Sequence, residues 1–473
     1  MSHLNQQKYL SHISLNLFNH SQRAGILLFC SSILLSFAVL SIWGGFSVLL
    51  ISAICMFITV PIVSYCSKLI RLKGLLLGFI MAVTYKTIFL ISKLLVLNEN
   101  PSTALIINDA AGYISSAYNP NIGELLTFYG TDIGYVLFLK YLVNIFNVLS
   151  MQVPIVLVVP NIFAGSLIMV FAVMLACTVI PTIHPRYVFW LAALDPMLAN
   201  YSTVVLKDIL VGFLVSVSLV VLIIKKGYFI QIIVWVFATI SSFLLRFRSS
   251  AIIVGFLGFR IFFNKNNQKR KKSQLISLIS IIILSIGLVG FNTNIFSLVN
   301  KGKSIIDTEK SHVEKISRKG KVDIRASGRL GLIINNLPTF PLRTAARTIM
   351  SFLAPIPPVQ FYQLSWGSGD NDIQARLFRD LGGIFWYIMM PFTLLGAMSM
   401  LQRKEYTLPL SLFIVLLAMG IGGWVDARIR MMASLPVYIL MAEGIANNKF
   451  FNRYSIAFYF LLISFWIIYE LVF

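Results

Sequence analysis

Asp109 sits in the run Asn108-Asp109-Ala110-Ala111-Gly112-Tyr113, inside a stretch from 94 to 139 that holds no lysine or arginine. A carboxylate in such a place has two chemical uses. It can take the proton of an attacking hydroxyl, or hold a divalent cation that bridges a sugar phosphate. A partly dehydrated crevice near a bilayer would raise its basicity and suit the first use. The plainer alternative is a solvated loop acid, or the cap of a short helix beginning at Ala110. Glu124 and Asp132 follow in the same acidic stretch and are the candidates for a second acid.

Three basic groupings could answer such an acid with phosphate binding. Lys207 and Asp208 close the run Pro196 to Asp208 and fall in the first turn of the next apolar helix. A helix N-terminus beside a lysine welcomes a phosphate, although a turn whose aspartate complements the helix dipole reads the same way. Arg246 and Arg248 stand in Arg246-Phe247-Arg248-Ser249-Ser250, and Asp426-Ala427-Arg428-Ile429-Arg430 repeats the pattern. Arginine forks onto phosphate oxygens, while the alternative is snorkelling to lipid headgroups. Lys86 lies mid-span with Lys93 seven residues on, the latter close enough to an interface to snorkel. Trp366-Gly367-Ser368-Gly369-Asp370 reads as a plain Gly-rich turn. There is no P-loop, GxGxxG, GxSxG, HExxH or CxxC, which argues against an ATP-driven pump, a dinucleotide enzyme and a zinc protease.

The elements that must hold these residues are set by composition. Of 473 residues 58% are hydrophobic and 12% charged, with a mean hydropathy of +0.84. Soluble domains carry about 25% charged residues, so the chain cannot cover a globule of this size with polar surface. Apolar runs long enough for a bilayer recur from Ile26 onward, and the fold expected is an all-α polytopic membrane protein. The net charge of +22 sits in loops between those runs. It reads as a topology signal and as contact with anionic headgroups, not as a nucleic-acid surface. Cys30, Cys55, Cys66 and Cys177 lie in or beside apolar runs, and His3, His12, His20, His184 and His312 show no ligand spacing. Neither a disulfide framework nor a zinc site is expected.

Spans are expected near 24–42, 45–66, 74–97, 155–180, 187–203, 206–224, 228–245, 250–263, 274–296, 382–402, 406–423, 432–447 and 454–471. The stretch 133–150 is left out of that set. If it crossed, Lys225-Lys226 and the run Lys265 to Lys272 would fall outside; as a re-entrant or interfacial outer segment it returns them to the cytoplasm. This gives about thirteen spans, the N-terminus inside and the C-terminus outside. The divisions are 1–97 (a cytoplasmic lead without a cleavage site, and three spans), 98–154 (first outer loop with the interfacial segment), 155–297 (a six-span core), 298–381 and 382–473 (four spans). The 298–381 segment has thirteen Lys or Arg against seven acids and is expected as a long, basic outer loop facing water. All candidate site motifs then lie on the outer side.

The order Asp109-x-x-x-Tyr113, Gly134-Tyr135, Pro196 with Ser202 and Lys207-Asp208, an Arg-bearing outer turn, and Arg428-x-Arg430 ahead of Pro436 resembles the membrane-embedded GT-C glycosyltransferases. The resemblance covers roughly 98 to 260 and 426 to 436, and its motifs are short. It implies a polyprenyl-phosphate-linked sugar as donor, a glycan or lipid-linked acceptor, and Asp109 at the reacting centre. It also implies Lys207, Arg246 and Arg428 near the lipid phosphate. Two departures stand out: three spans precede the acidic loop, where the family usually has one, and Asn108 occupies the place of a second acid. An O-antigen or capsule repeat-unit polymerase, using a polyprenyl-pyrophosphate-linked oligosaccharide, fits the basic loop with Arg325, Arg329, Arg343, Arg347, Arg376 and Arg379. A lipid-linked oligosaccharide flippase or other secondary transporter would instead show mid-span charges and broken helices. The location expected is a bacterial inner membrane, with the site on the periplasmic face.

Overall fold

The computed structural model describes residues 15–18, 20–96, 109–118, 133–148, 155–180, 183–223, 228–246, 249–250, 252–256, 337, 340–353, 371–421, 431–447 and 464. The expected span 274–296, all of 454–471 but residue 464, the residues 251 and 257–263 of the expected span 250–263, and most of 298–381 lie outside them. Almost everything described is helix. Among the described residues four helices are long and apolar enough to cross a membrane.

The chain enters through a two-residue strand, β1 (Leu15–Asn16), which pairs in parallel with β2 (Leu72–Lys73). Between them run α1 (His20–Gly44) and α2 (Phe46–Ile70). The ladder departs from an all-helical expectation. Leu17 and Phe18 explain it: both are fully buried, and Phe18 meets Phe189 edge-on at 5.1 Å, so the lead-in is drawn onto the helix ends. α3 (Leu75–Val96), α4 (Asp109–Tyr118) and α5 (Ile133–Val148) follow. α5, the stretch kept out of the span count, has 16 residues, or about 24 Å of helix. It buries Ile133, Tyr135, Val136, Leu139 and Val143 and exposes Leu137, Tyr141 and Ile145.

α6 (Val159–Val179) is the axis of the fold, with 83% of its apolar window buried against 33% for α2. α2, α3, α7 (Pro185–Ala193), α8 (Pro196–Ser202), α9 (Asp208–Ile223) and α14 (Ser434–Ala446) surround it. A helix apolar on every side is stable only when sealed by neighbours or lipid. α6 has neighbours. α2 instead exposes Phe57 and Tyr65, as lipid-facing helices do.

The expected span 187–203 is two helices, not one. Pro196 lacks an N–H and crowds the residue before it out of the helical region. Asp195 is accordingly extended (φ −62°, ψ 113°) and caps α8 through Met197 N–H at 2.8 Å. α10 (Tyr228–Leu245), α11 (Phe340–Leu353), α12 (Asn371–Gln402) and α13 (Thr407–Ile421) follow, with further helical residues at 249–250 and 252–256 after α10. α12 starts inside the 298–381 segment, eleven residues before the expected 382. α12 and α14 cross closely enough that a Cβ on Gly396 would strike the Leu440 carbonyl, and one on Gly444 the Phe392 carbonyl. Small residues permit such backbone approach between membrane helices.

Candidate functional site

Three of the polar motifs meet at one end of the bundle. Beyond Ser202 the chain turns through Thr203–Lys207, and the turn is held from below by α6. Asn161 Nδ2 donates to the Val204 and Leu206 carbonyls at 2.9 and 3.0 Å. That fixes Lys207 and starts α9 at Asp208, where a carboxylate complements the helix dipole. On the neighbouring α10, Arg246 follows the last helical residue. Its Nη1 donates to Asp208 Oδ1 at 2.5 Å, with both side chains buried. Ser249 Oγ donates to the Arg246 carbonyl at 2.6 Å and shares a 2.8 Å bond with Ser242 Oγ, which pins this turn.

The acidic stretch arrives from a third side. α4 begins at Asp109, and one turn later Tyr113 presents its ring to Lys207, whose Nζ stands 5.4 Å from the ring centre. Tyr113 packs edge-on against Tyr135 of α5 at 5.1 Å. The ammonium is thus set by a π-face and the guanidinium by a carboxylate, an arrangement that presents directed positive charge beside the start of α4.

Of the residues singled out in the sequence, Lys207, Asp208 and Arg246 are brought together, and Asp109 opens the helix that touches them. Asp208 differs from the others grouped as phosphate-binding: its carboxylate is on Arg246 and serves to aim it. Glu124, Asp132, Arg248, Arg428 and Arg430 lie outside the described residues. Among the described residues no three His, Cys, Asp or Glu side chains gather to hold a metal.

Lys93 does not snorkel. It is 1% exposed, donates to the Asn200 carbonyl and Thr203 Oγ1 at 3.3 and 3.1 Å, and lies between the rings of Phe89 and Phe378 at 5.7 and 5.9 Å. It ties the end of α8 to α3 and α12. Deeper in the bundle, Asp195 at the helix break accepts from Tyr438 Oη at 2.5 Å. Lys86 is buried near it, and its Nζ has no hydrogen-bond partner among the described residues; neither has Ser202 Oγ. Gly165 makes the room: a Cβ there would collide with Ser202 Oγ and lie 3.4 Å from Lys86 Cε. A small cavity bordered by Asp195, Met197, Gly382, Trp386 and Tyr438 adjoins the break. The Asp-Pro pair at 195–196 was the signal for this second polar centre, since that dipeptide ends one helix and caps the next.

No protein-family model matches the chain, and no curated protein does. Among solved structures, the chain is similar to the archaeal oligosaccharyltransferase AglB from Archaeoglobus fulgidus, described in complex with an inhibitory peptide and a dolichol-phosphate. The identity is 16% and the TM-score 0.40, over 82% of this chain and 54% of that one. The chain therefore spans about half the length of that protein. A likeness at this level carries no argument about activity; the side chains have to carry it.

Proposed function

We propose that the chain is a membrane glycosyltransferase that moves a sugar from a polyprenyl-phosphate-linked donor to a glycan or lipid-linked acceptor on the periplasmic face of a bacterial inner membrane. One observation carries the reading: Lys207, the Asp208–Arg246 pair and the helix opened by Asp109 come from separate parts of the chain and meet at one bundle end. In the reaction, the acceptor hydroxyl oxygen bonds to the anomeric carbon and its proton passes to the Asp109 carboxylate. The bond from that carbon to the phosphate oxygen breaks, and its electron pair stays on the phosphate. Lys207 and Arg246 stabilise that growing charge, with Arg428 and Arg430 as further donors. A divalent cation on Asp109 would serve the same leaving group; sensitivity of transfer to a chelator tests that role.

The deciding experiment is the surface glycan of cells lacking the protein, resolved by chain length. A uniformly shifted ladder or one missing sugar supports the single-sugar transferase. Collapse to one repeat unit supports the repeat-unit polymerase, and an unchanged profile overturns both.

The transporter reading keeps one observation of its own. The helix break at Asp195–Pro196, with buried Lys86 and Tyr438 around it, is the kind of mid-membrane polar centre that transporters use. Purified protein that transfers sugar in detergent, where no compartments exist, would decide against it.

A further inference from the structure

α11 is built inside out. Its exposed positions are Pro341, Leu342, Ala345 and Ile349, and its buried ones are Thr344, Arg347 and Ser351. Leu342 and Ile349 are 49% and 60% exposed, while Arg347 is 3%. A helix lying on a protein surface in water buries the opposite set. Turning the apolar edge out and an arginine in is favourable only where the surroundings are hydrocarbon.

The packing of α11 gives its depth. Near its start, Thr344 and Thr348 crowd Gly420, close to the last residue of α13. Near its end, the Phe352 carbonyl accepts from Trp386 Nε1 at 3.0 Å, and the two rings meet edge-on at 5.3 Å. Trp386 is eight residues along α12 from Phe378, which sits with Lys93 at the site end; eight residues of helix drop about 12 Å. Trp386 also borders the cavity at the Asp195 break. Helix α11 thus runs from the site end down toward the level of the break. Its 14 residues cover about 21 Å, too little for a crossing of about 30 Å. The next described helix, α12, begins back at the site end. The flanking helices expose apolar residues too: Ile384 and Ile388 on α12 and Phe413 on α13.

We infer that α11 is a membrane-embedded helix, shorter than a full crossing, whose Leu342–Ala345–Ile349 edge rests on lipid acyl chains. The 298–381 segment is then not wholly a water-facing loop: part of it enters the bilayer and carries Arg347 to the protein interior. The inference needs no assignment of activity.

The test is site-directed spin labelling in phosphatidylcholine–phosphatidylglycerol vesicles. The full chain is used with its native cysteines replaced by alanine and one label each at Leu342→Cys, Ala345→Cys and Ile349→Cys. Phe57→Cys, on the exposed face of α2, is the lipid reference. The expected result is collision with oxygen exceeding collision with a water-soluble nickel chelate at all three sites, at the reference ratio. A nickel-dominated ratio would put the edge in water, and exclusion of both agents would put protein over it; either overturns the proposal. All three substitutions are at exposed positions, so folding survives, and a cooperative melting transition in detergent matching that of the unlabelled protein verifies it for each variant.

Discussion

Two buried carboxylates on arginines mark opposite ends of the bundle, and they are built differently. At the far end Glu443 of α14 accepts from Ser399 Oγ at 2.9 Å, from Arg403 Nη2 at 2.5 Å and from Asn447 Nδ2. Every partner belongs to α12, α14 or their ends, the same pair that crosses at Gly396 and Gly444. At the site end Asp208 meets Arg246 across two helices, while Lys207 beside it faces Tyr113 on a third and the turn between is held by Asn161 on a fourth. The first is a clasp that locks one helix crossing. The second collects charge from distant parts of the sequence and arranges it around a place. Convergence, more than burial or bond length, separates a site from a brace.

That contrast can be broken. Asp109→Asn should lower transfer by about two to four orders of magnitude, the usual weight of a general base, with membrane levels unchanged; equal glycan output would remove Asp109 from the chemistry. Arg246→Ala and Lys207→Ala should each weaken donor use by about tenfold or more, since a charged hydrogen bond contributes about 1.5–3 kcal/mol. Donor titration of the purified protein reads this, and an unchanged donor dependence with lost thermal stability would make the site end a second clasp.

Glu443→Gln should do the reverse. It should destabilise the protein in detergent by about 1–3 kcal/mol, read as a lower melting temperature, because the amide loses the charge that holds Arg403 and sets an NH2 among donors, and leave donor dependence alone. The smallest effect expected is at His184, whose Nδ1 caps α7 by accepting from Arg186 N–H at 3.3 Å. Burial, and then the neighbouring Arg186 charge, hold its pKa below the usual histidine value. The folded state therefore binds this proton less readily than the unfolded chain. The contribution is present above the unfolded pKa of about 6.5 and is lost as pH falls through the lower folded value. His184→Ala should flatten that part of the melting-temperature profile.

Much of this was legible in the residues. Long apolar runs located α2, α3, α6, α9 and α10 within a few positions, because a bilayer leaves so few alternatives. The grouping of Lys207, Asp208 and Arg246 was legible from their positions at the ends of apolar runs. What each one does was not: that Asp208 aims Arg246 depends on the rotation of two helices, which hydropathy does not encode. Lys93 misled because a lysine near a helix end has the same sequence signature whether it reaches for water or for a neighbour's carbonyl. α11 misled for a related reason. Its arginines gave the segment a polar average, and only the burial of Arg347 in three dimensions reveals the apolar edge.

The sealed position of α6 has a consequence for biogenesis. Apolar on every side, it can enter the bilayer on its own and wait there in contact with lipid. In the finished protein almost none of that contact survives, and one of the helices that replaces it, α14, is among the last described elements of the chain. The side of α6 that α14 covers therefore stays open to lipid until nearly all of the described chain has been translated. A ribosome that stops after α10 would release a product that is inserted but not assembled, a natural substrate for membrane quality control.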